Sequence, residues 1–315
     1  MAVAGFRRRV NPLAVVIPVY NGREFLLEAV DSVLNQTRPV DEIWVVDDGS
    51  TDGSADLLAK RGDRVRVLRK TNGGVASARN AGVRSTAAEW VALLDADDAW
   101  EAEKVARFAA TAARCPAARW FYSDARQVDR LGRPGRLIRA DRASGVSDFE
   151  ALLVKNHVVT SSAVFHRETA LSVGLFREDF TCRAGVEDWE FFLRLAKAAP
   201  GARVPGAWTR YRHHPASAIQ TQRLSLREDA LRVVALHAAD APTSVAARAR
   251  DRVFYESAFR HLAARDAAAA RRDLGRVRFF SPLKIRAVIL WVLSWAGGNA
   301  LDRLAGLRRR WMSRR

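Results

Sequence analysis

The chain has 315 residues, 49% hydrophobic and 28% charged, which suits one large α/β domain or two ordinary ones and excludes wholesale disorder and collagen-like repeats. Its two cysteines, Cys115 and Cys182, lack CxxC spacing, so a disulfide scaffold and a zinc ribbon are excluded and a reducing compartment is favoured. The formal net charge is +17, and residues 223–315 carry +12 of it with 20 basic and 8 acidic side chains.

The first apolar run, Leu13–Val19, follows three arginines and superficially resembles a secretion signal. It is short, it contains Pro18, and no small-residue cleavage site follows it, so a strand is the better interpretation. No run in the sequence reaches the roughly 20 apolar residues that a membrane-spanning helix needs. The sequence therefore predicts a cytoplasmic protein.

Between residue 13 and about residue 125, strand and helix patterns alternate. The predicted strands are Leu13–Pro18, Glu42–Asp47, Val65–Arg69, Trp90–Asp95 and Arg119–Ser123, and the predicted helices are Arg23–Gln36, Ser54–Lys60, Val75–Arg84 and Glu101–Ala113. This alternation predicts an α/β fold with a mainly parallel sheet and helices on both faces. Ligands of such sheets bind beyond the carboxyl ends of the strands.

The pattern weakens after this segment. Residues 126–155 are rich in Gly, Arg and Asp, and we expect a loop there. A strand over Ser161–His166, a helix over Val186–Ala199 and a strand over Trp208–Arg212 follow, and from residue 223 the pattern is helical. We therefore expect a catalytic α/β domain over residues 1–222 and a basic helical region over residues 223–315.

Carboxylates follow two of the predicted strands. Asp48 stands after Glu42–Asp47, where it could accept hydrogen bonds from a nucleobase or ribose or belong to an ordinary capped turn. Asp95, Asp97 and Asp98 stand at the end of the predicted strand Trp90–Asp95 and directly after it. Three carboxylates so close repel one another unless a cation offsets their charge. Such oxygen ligands suit Mg²⁺ or Mn²⁺ beside substrate phosphates, although Asp98 alone could be a helix cap.

Three further positions carry candidate chemistry. Asp188 begins a predicted helix, where it could be a general base or could complement the helix dipole. Arg79 lies in the segment NGGVASARNAG, where it could reach a phosphate or base or lie on a solvated helix face. Arg212 and His214 follow a predicted strand and could contact a diphosphate or a metal, or be structural.

Five motifs in this order resemble those of family 2 glycosyltransferases of the GT-A fold. They are VVIPVYNG (15–22), VVDDGSTD (45–52), NGGVASARNAG (72–82), LLDADD (93–98) and VEDWEFFLRL (186–195). The resemblance covers about residues 12–217. It implies an inverting transferase that moves a sugar from a nucleoside diphosphate donor to a hydroxyl of a glycan or lipid-linked acceptor, in cell-envelope or polysaccharide synthesis.

The resemblance also assigns roles. It places the backbone of Pro18 and Val19 beside the nucleobase and Asp48 on the base or ribose. Asp95, Ala96 and Asp97 match the DxD motif, so this group and Asp98 would bind ribose and the divalent metal on the diphosphate. Asp188 matches the catalytic base. The residues assigned to substrate binding are Pro18, Val19, Asp48, Arg79, Asp95, Trp189 (stacked on a sugar) and Arg212, and those assigned to the metal are Asp97, Asp98 and His214.

The tail lies outside the resemblance. The segment AVILWVLSWAGGNAL is too short to span a membrane, but its tryptophans and the flanking arginines, Arg286 and Arg308–Arg310 among them, suit an anionic membrane interface. A peripheral position on the cytoplasmic face of the membrane is therefore one prediction. The alternative is a helical subdomain that packs Ile289, Leu290 and Leu293 onto the catalytic domain.

Three other functions compete with glycosyl transfer. A nucleic-acid-binding protein would explain the charge of +17, but the candidate site is rich in carboxylates, which repel phosphates, so we expect no nucleic acid partner. A nucleotidyltransferase would share the metal and the strand-end carboxylates, but PVYNG replaces the glycine-rich, lysine-containing loop. A catalytically idle scaffold is opposed by the presence of Asp48, Asp95, Asp97 and Asp188.

Overall fold

A computed structural model describes residues 12–140, 148–181, 185–214, 226–278 and 283–293. Its strands are β1 (Leu13–Val19), β2 (Glu42–Asp47), β3 (Arg66–Arg69), β4 (Trp90–Leu93), β5 (Ala99–Trp100), β6 (Trp120–Val128), β7 (Pro134–Ile138), β8 (Val164–His166) and β9 (Gly201–Arg212). The α-helices are α1 (Leu26–Leu34), α2 (Val75–Ser85), α3 (Lys104–Arg114), α4 (Asp148–Val154), α5 (Arg167–Ser172), α6 (Glu187–Ala198), α7 (Leu226–His237), α8 (Thr243–Ala263), α9 (Ala267–Gly275) and α10 (Lys284–Leu293).

The described strands form one mixed sheet in the order β3-β2-β1-β4-β8-β6-β9-β5, with β7 beside β6. The first four strands of this order are parallel, and β6 is parallel to β9. The other neighbours are antiparallel: β8 pairs with β4 and β6, β5 pairs with β9, and β7 pairs with β6. The predicted α/β class is confirmed, and the sheet is parallel in its first half and mixed in its second.

The sheet separates two hydrophobic cores because successive side chains of a strand point to opposite faces. Val16 of β1 belongs to the core that α2 and α6 cover, whereas Val15 and Ile17 belong to the core that α1 and α3 cover. All seven residues of β1 are buried, as expected of a central parallel strand. Because β1 is the parallel neighbour of both β2 and β4, the carboxyl ends of these three strands lie together at one edge of the sheet.

The expectation of a loop over residues 126–155 is wrong. β6 continues to Val128, a turn leads into β7, and α4 follows. The turn is held by Asp129, whose carboxylate accepts the backbone N–H groups of Leu131 and Arg133. Because β7 pairs with β6 alone among the described strands and is half-buried or exposed, its sequence lacks the apolar alternation that marks the inner strands.

The helical region shares a core with the sheet domain. Leu226, Val233 and Val253 of α7 and α8 lie in the same buried cluster as Phe149 of α4 and Phe192 of α6. A smaller cluster joins α8, α9 and α10. The predicted helical character after residue 223 is confirmed over the described part, whereas residues 294–315, with the basic end of the tail, lie outside the described residues. No described helix is long and apolar enough to cross a membrane.

Candidate active site

Asp48 lies at the carboxyl end of β2 and is only 2% exposed. Its carboxylate accepts hydrogen bonds from Lys70 Nζ at 2.6 Å and from the backbone N–H groups of Gly73 at 3.0 Å and Gly74 at 2.7 Å. Gly74 has a φ of 91°, which a residue with a side chain rarely adopts. Asp48 therefore fixes the glycine turn that begins α2.

Arg79 projects from α2 and links two acidic elements. Its guanidinium is 3% exposed and donates to Asp95 Oδ1 and Glu187 Oε1, both at 2.7 Å. Burial lowers the pKa of Arg79, but the charges of Asp95 and Glu187 outweigh burial, and its pKa lies above the ordinary value. Arg79 is thus the internal counter-ion of the site and not a residue of a solvated helix face.

The turn after β4 presents its carboxylates differently. The side chains of Asp95 and Asp97 are 27% and 33% exposed, whereas Asp98 is 1% exposed. Asp98 accepts Ser161 Oγ at 2.5 Å and the Arg212 N–H at 2.8 Å. Burial and the neighbouring charges of Asp97 and Asp95 raise its pKa well above the usual range. Asp97 is therefore the more accessible of the two carboxylates predicted to bind metal.

The end of β9 closes over this turn. His214 Nε2 lies 3.0 Å from Asp97 Oδ2, and its ring packs against Phe25. The side chain of Arg212 is 2% exposed. It donates to the Asp97, Asp129 and Arg130 carbonyl oxygens and to Glu28. Because four of its guanidinium N–H groups donate to protein acceptors, Arg212 stabilises the contact between the end of β9 and the turn after β4. We therefore leave Arg212 out of the proposed diphosphate contacts.

Asp188 lies in the first turn of α6 and is half-buried. It accepts hydrogen bonds from Thr160 Oγ1 and from the Trp189 N–H, both at 2.6 Å. Burial and the adjacent charge of Glu187 raise the pKa of Asp188 to about 6. A carboxylate with such a pKa is mostly ionised at neutral pH and still accepts a proton more readily than an ordinary aspartate.

The segment Thr160–Ser162, a single 3₁₀ turn before β8, connects these groups, and the sequence analysis missed it. Thr160 holds Asp188, and Ser161 holds Asp98 and also accepts the Asp95 N–H at 3.0 Å. Lys104 Nζ donates to the Ser162 carbonyl oxygen at 2.9 Å. A run of three small hydroxyl residues before a strand, buried in an apolar context, is the signal that could have identified it.

The predicted site residues thus meet at one edge of the sheet. Arg79 bonds to Asp95 and to Glu187, so it links the turn that carries Asp97 to the start of α6, which carries Asp188. Asp48 joins this set through the glycine turn of α2, because Gly73, Gly74 and Glu187 line one pocket of about 250 Å³. The structure brings into contact site residues that lie as much as 117 positions apart in the chain.

One predicted substrate contact, Trp189, is buried away from the other candidate site residues. Trp189 is 8% exposed in the core between α4 and α6, and its indole N–H donates to the Leu152 carbonyl oxygen at 2.6 Å. We therefore leave Trp189 out of the proposed sugar site. Pro18 and Val19 end β1 at the right edge, but their side chains are buried, and the Val19 carbonyl oxygen accepts the Asp48 N–H.

The protein alone supplies few metal ligands. Among the described residues, no group of three or more His, Cys, Asp or Glu side chains is arranged to hold a metal ion. Asp97 and His214 form a partly exposed pair of oxygen and nitrogen donors. Such a pair fits an ion that takes its remaining ligands from phosphate oxygens and water, as Mg²⁺ commonly does.

The α/β sheet with a mixed second half and carboxylates at its strand ends resembles the GT-A fold that the motifs indicate. Residues 14–167 match the family model described as glycosyl transferase family 2. This match, over just under half of the chain, agrees with the resemblance to family 2 glycosyltransferases that the motifs indicate.

Curated relatives resemble this domain. The chain is 41% identical over 95 residues to an uncharacterized glycosyltransferase of Rickettsia felis, and 38% identical over 89 residues to the uncharacterized glycosyltransferase EpsJ of Bacillus subtilis. It is 42% identical over 90 residues to glycosyltransferase GlyG of Streptococcus pneumoniae. These matches cover 30%, 27% and 27% of this chain and 16%, 26% and 30% of the relatives.

Solved structures share the fold over most of the chain. Residues 1–349 of S. aureus TarS, in complex with UDP-GlcNAc, superpose with a TM-score of 0.59 at 17% identity, covering 90% of this chain and 89% of that one. The mannosyltransferase PcManGT of Pyrobaculum calidifontis, in complex with GDP-Man and Mn²⁺, gives a TM-score of 0.58 at 19% identity, covering 96% and 85%. At these identities the likeness concerns the fold.

Proposed function

We propose that this chain is an inverting glycosyltransferase that moves a sugar from a nucleoside diphosphate to an acceptor hydroxyl. The observation that carries the proposal is the pair of ion pairs by which Arg79 joins Asp95 to Glu187, the residue next to Asp188. The named complexes of the structural neighbours with UDP-GlcNAc and GDP-Man support a nucleotide-sugar donor.

The donor end of the cleft is formed by the ends of β1, β2 and β4. Asp48 and the backbone at Pro18–Val19 shape the side that receives the nucleobase and ribose. Asp95 and Asp97 face the diphosphate, and Asp97 and His214 would hold Mg²⁺ or Mn²⁺. Bound there, the ion stabilises the negative charge that the leaving diphosphate gains. Asp98 supports the turn from below through Ser161 and Arg212.

The acceptor end contains Asp188. Its carboxylate takes the proton of the acceptor hydroxyl while the acceptor oxygen bonds to the anomeric carbon and the bond to the diphosphate breaks. Attack from the face opposite the leaving group inverts the anomeric configuration. No covalent bond between sugar and enzyme forms in this scheme.

The first prediction concerns Asp188. Asp188→Asn should lower kcat at least 1000-fold, on the order expected for loss of a general base, while leaving donor affinity within about twofold. The matched control is Asp56→Asn, because Asp56 is an exposed aspartate outside the cleft. Transfer assays use a panel of nucleotide sugars, first chosen by thermal shift with and without Mn²⁺. Wild-type turnover in Asp188→Asn would show that the base is misassigned. Donor binding without transfer by the wild type would instead favour an idle scaffold.

We also propose that the protein attaches peripherally to an anionic membrane, where a lipid-linked or cell-envelope acceptor would be available. The support is α10, whose Ile285, Val288, Ile289 and Val292 lie on one helical stripe and are 76%, 46%, 51% and 55% exposed. Leu290 and Ala287, on the opposite side, pack into the small core of the helical region. The charge of +12 over residues 223–315 is complementary to anionic lipid.

The second prediction tests this surface by flotation with vesicles that contain anionic lipid. The full chain should float, and Ile285→Glu/Val292→Glu should not, because two charges would enter the lipid-facing stripe. Leu236→Glu is the control, since Leu236 is 42% exposed on α7, away from this stripe. Equal flotation of all three proteins would contradict the proposal, and binding of DNA in place of vesicles would favour the nucleic acid alternative.

A further inference from the structure

The 3₁₀ turn Thr160–Ser162 lies beneath both halves of the cleft. Thr160, Ser161 and Ser162 are 6%, 0% and 2% exposed, so their hydroxyl groups are buried within the protein. The turn is fixed from below: Ser161 accepts the Trp100 indole N–H through its carbonyl oxygen at 2.8 Å, and Ser162 accepts Lys104 Nζ. A rigid turn of this kind can hold its contacts at constant geometry.

Adjacent residues of this turn contact opposite sides of the proposed reaction. Ser161 Oγ donates to Asp98 and accepts the Asp95 N–H, which fixes the turn that faces the diphosphate. Thr160 Oγ1 donates to Asp188 Oδ2 at 2.6 Å. The distance between the donor side and the base is therefore set by one peptide unit.

We propose that Thr160 is a positioning residue for Asp188: its hydroxyl group orients the carboxylate toward the acceptor and stabilises its charged form. This inference rests on the proposed function, which assigns Asp188 as the general base. A hydroxyl donor to a carboxylate favours the ionised state.

The other groups around Asp188 do not replace this contact. Glu187, next to it on α6, repels the charge of Asp188, and Arg79 on α2 attracts it while donating hydrogen bonds to Asp95 and Glu187. Burial above all, with smaller contributions from the charges of Asp98 and Asp188, raises the pKa of the Tyr211 hydroxyl group on β9. Thr160 donates to Asp188 through its side chain, and Trp189 donates through its backbone N–H.

The test compares Thr160→Val, which keeps the shape and removes the donor, with Thr160→Ser, which keeps the donor. The carboxyl carbon of Asp188 is followed by ¹³C NMR in the full chain without donor or metal, and Asp188→Asn identifies its resonance. Because Thr160→Val loses one hydrogen bond to a charged group, the midpoint of the Asp188 titration should move up by about one pH unit in this variant. Thr160→Ser should titrate like the wild type.

The same change should appear in kinetics. With the midpoint raised by about one unit, kcat of Thr160→Val should fall about fivefold at pH 6 and recover substantially above pH 8, with the donor KM unchanged. A purely structural role would lower the melting temperature and raise KM without moving the midpoint. If Thr160→Val fails to fold, Thr160→Ala serves for the same titration.

The outcomes separate the two proposals. A wild-type midpoint in a folded Thr160→Val or Thr160→Ala, or an equal shift in Thr160→Ser, overturns the role of Thr160. Full activity of Asp188→Asn overturns the assignment of the base, whatever the titration shows.

Discussion

At the residue scale, the sequence identified the acidic side chains of the candidate site but not the different environment of each. Asp95, Asp97 and Asp98 are equivalent in a motif, yet only the first two are accessible, because Asp98 turns inward to Ser161 and the Arg212 backbone. Similarly, Arg79 could be read as a surface residue until its two carboxylate partners, 16 and 108 positions away, were known. Pairings across such separations depend on the folded sheet and leave no local pattern.

Lys104 is another residue whose environment the sequence did not reveal. It was part of a predicted amphipathic helix, but it is 4% exposed and lies 5.0 Å from the Trp100 ring. Burial lowers its pKa to about 7 from an ordinary 10.5. Between these two values the unfolded chain binds more protons than the folded chain, so folding should gain stability as pH rises from about 7 to about 10.5.

The third prediction follows from that sign. The melting temperature of the wild type, measured relative to Lys104→Met, should rise from pH 7 to pH 9.5, because the wild type loses a buried charge that the variant lacks. By linkage the gain could approach roughly 5 kcal/mol over the full interval, which is an upper bound. Lys197→Met is the control at a lysine whose side chain is 39% exposed. Parallel pH curves for wild type and Lys104→Met would contradict the assignment.

At the element scale, periodicity located the central strands and helices well and the peripheral ones poorly. Strands β1 and β2 are buried runs bounded by turns, and their predicted limits agree with the structure to one residue. The sequence analysis missed β7 and the first half of β9 because few of their residues are buried. Edge strands satisfy a weaker burial constraint, so their sequences carry a weaker pattern.

The contact of α2 with β1 requires a glycine. A Cβ at Gly82 would lie 2.4 Å from Val16 Cγ1 and 3.1 Å from Val46 Cγ2. The helix therefore approaches the sheet more closely than a residue with a side chain would allow.

The fourth prediction concerns this contact. Gly82→Ala should destabilise the protein by up to about 2 kcal/mol, because an overpacking cost of about 1–3 kcal/mol outweighs the gain of about 1 kcal/mol in helix propensity. Gly275→Ala, at the end of α9, is the matched control, since no atom lies within 4 Å of its added methyl group. Chemical denaturation measures both variants, and equal stability changes would show that α2 can move away from β1.

At the scale of the whole molecule, the division near residue 222 stays a prediction, and one hydrophobic core extends across this position. Charge and pattern change there, but α7 and α8 place Leu226, Val233, Val234 and Val253 in the same cluster as α4 and α6. Local composition reports a change of surface, whereas core sharing depends on which helix faces meet. The composition therefore could not show this joint core.

The fifth prediction is that a chain ending at residue 222 does not fold alone. Four large buried side chains contribute roughly 2 kcal/mol each, which is comparable to the whole stability of an ordinary domain. This chain should bind a hydrophobic dye and aggregate, whereas a chain ending at residue 278 keeps α7–α9 and should retain near-ultraviolet circular dichroism. Cooperative unfolding of the shorter chain would show that the shared core is dispensable.

The shared core has a geometric consequence for an enzyme at a lipid surface. α10 packs on α8 and α9, and α8 shares a hydrophobic core with α6, which carries Asp188. If the exposed stripe of α10 binds a membrane, these contacts would hold the candidate active site at a fixed distance from the lipid. The reacting carboxylate would stand at a fixed height above the headgroups, and only acceptors whose hydroxyl group projects to that height would be glycosylated. Reach, as well as chemical identity, would then select the acceptor.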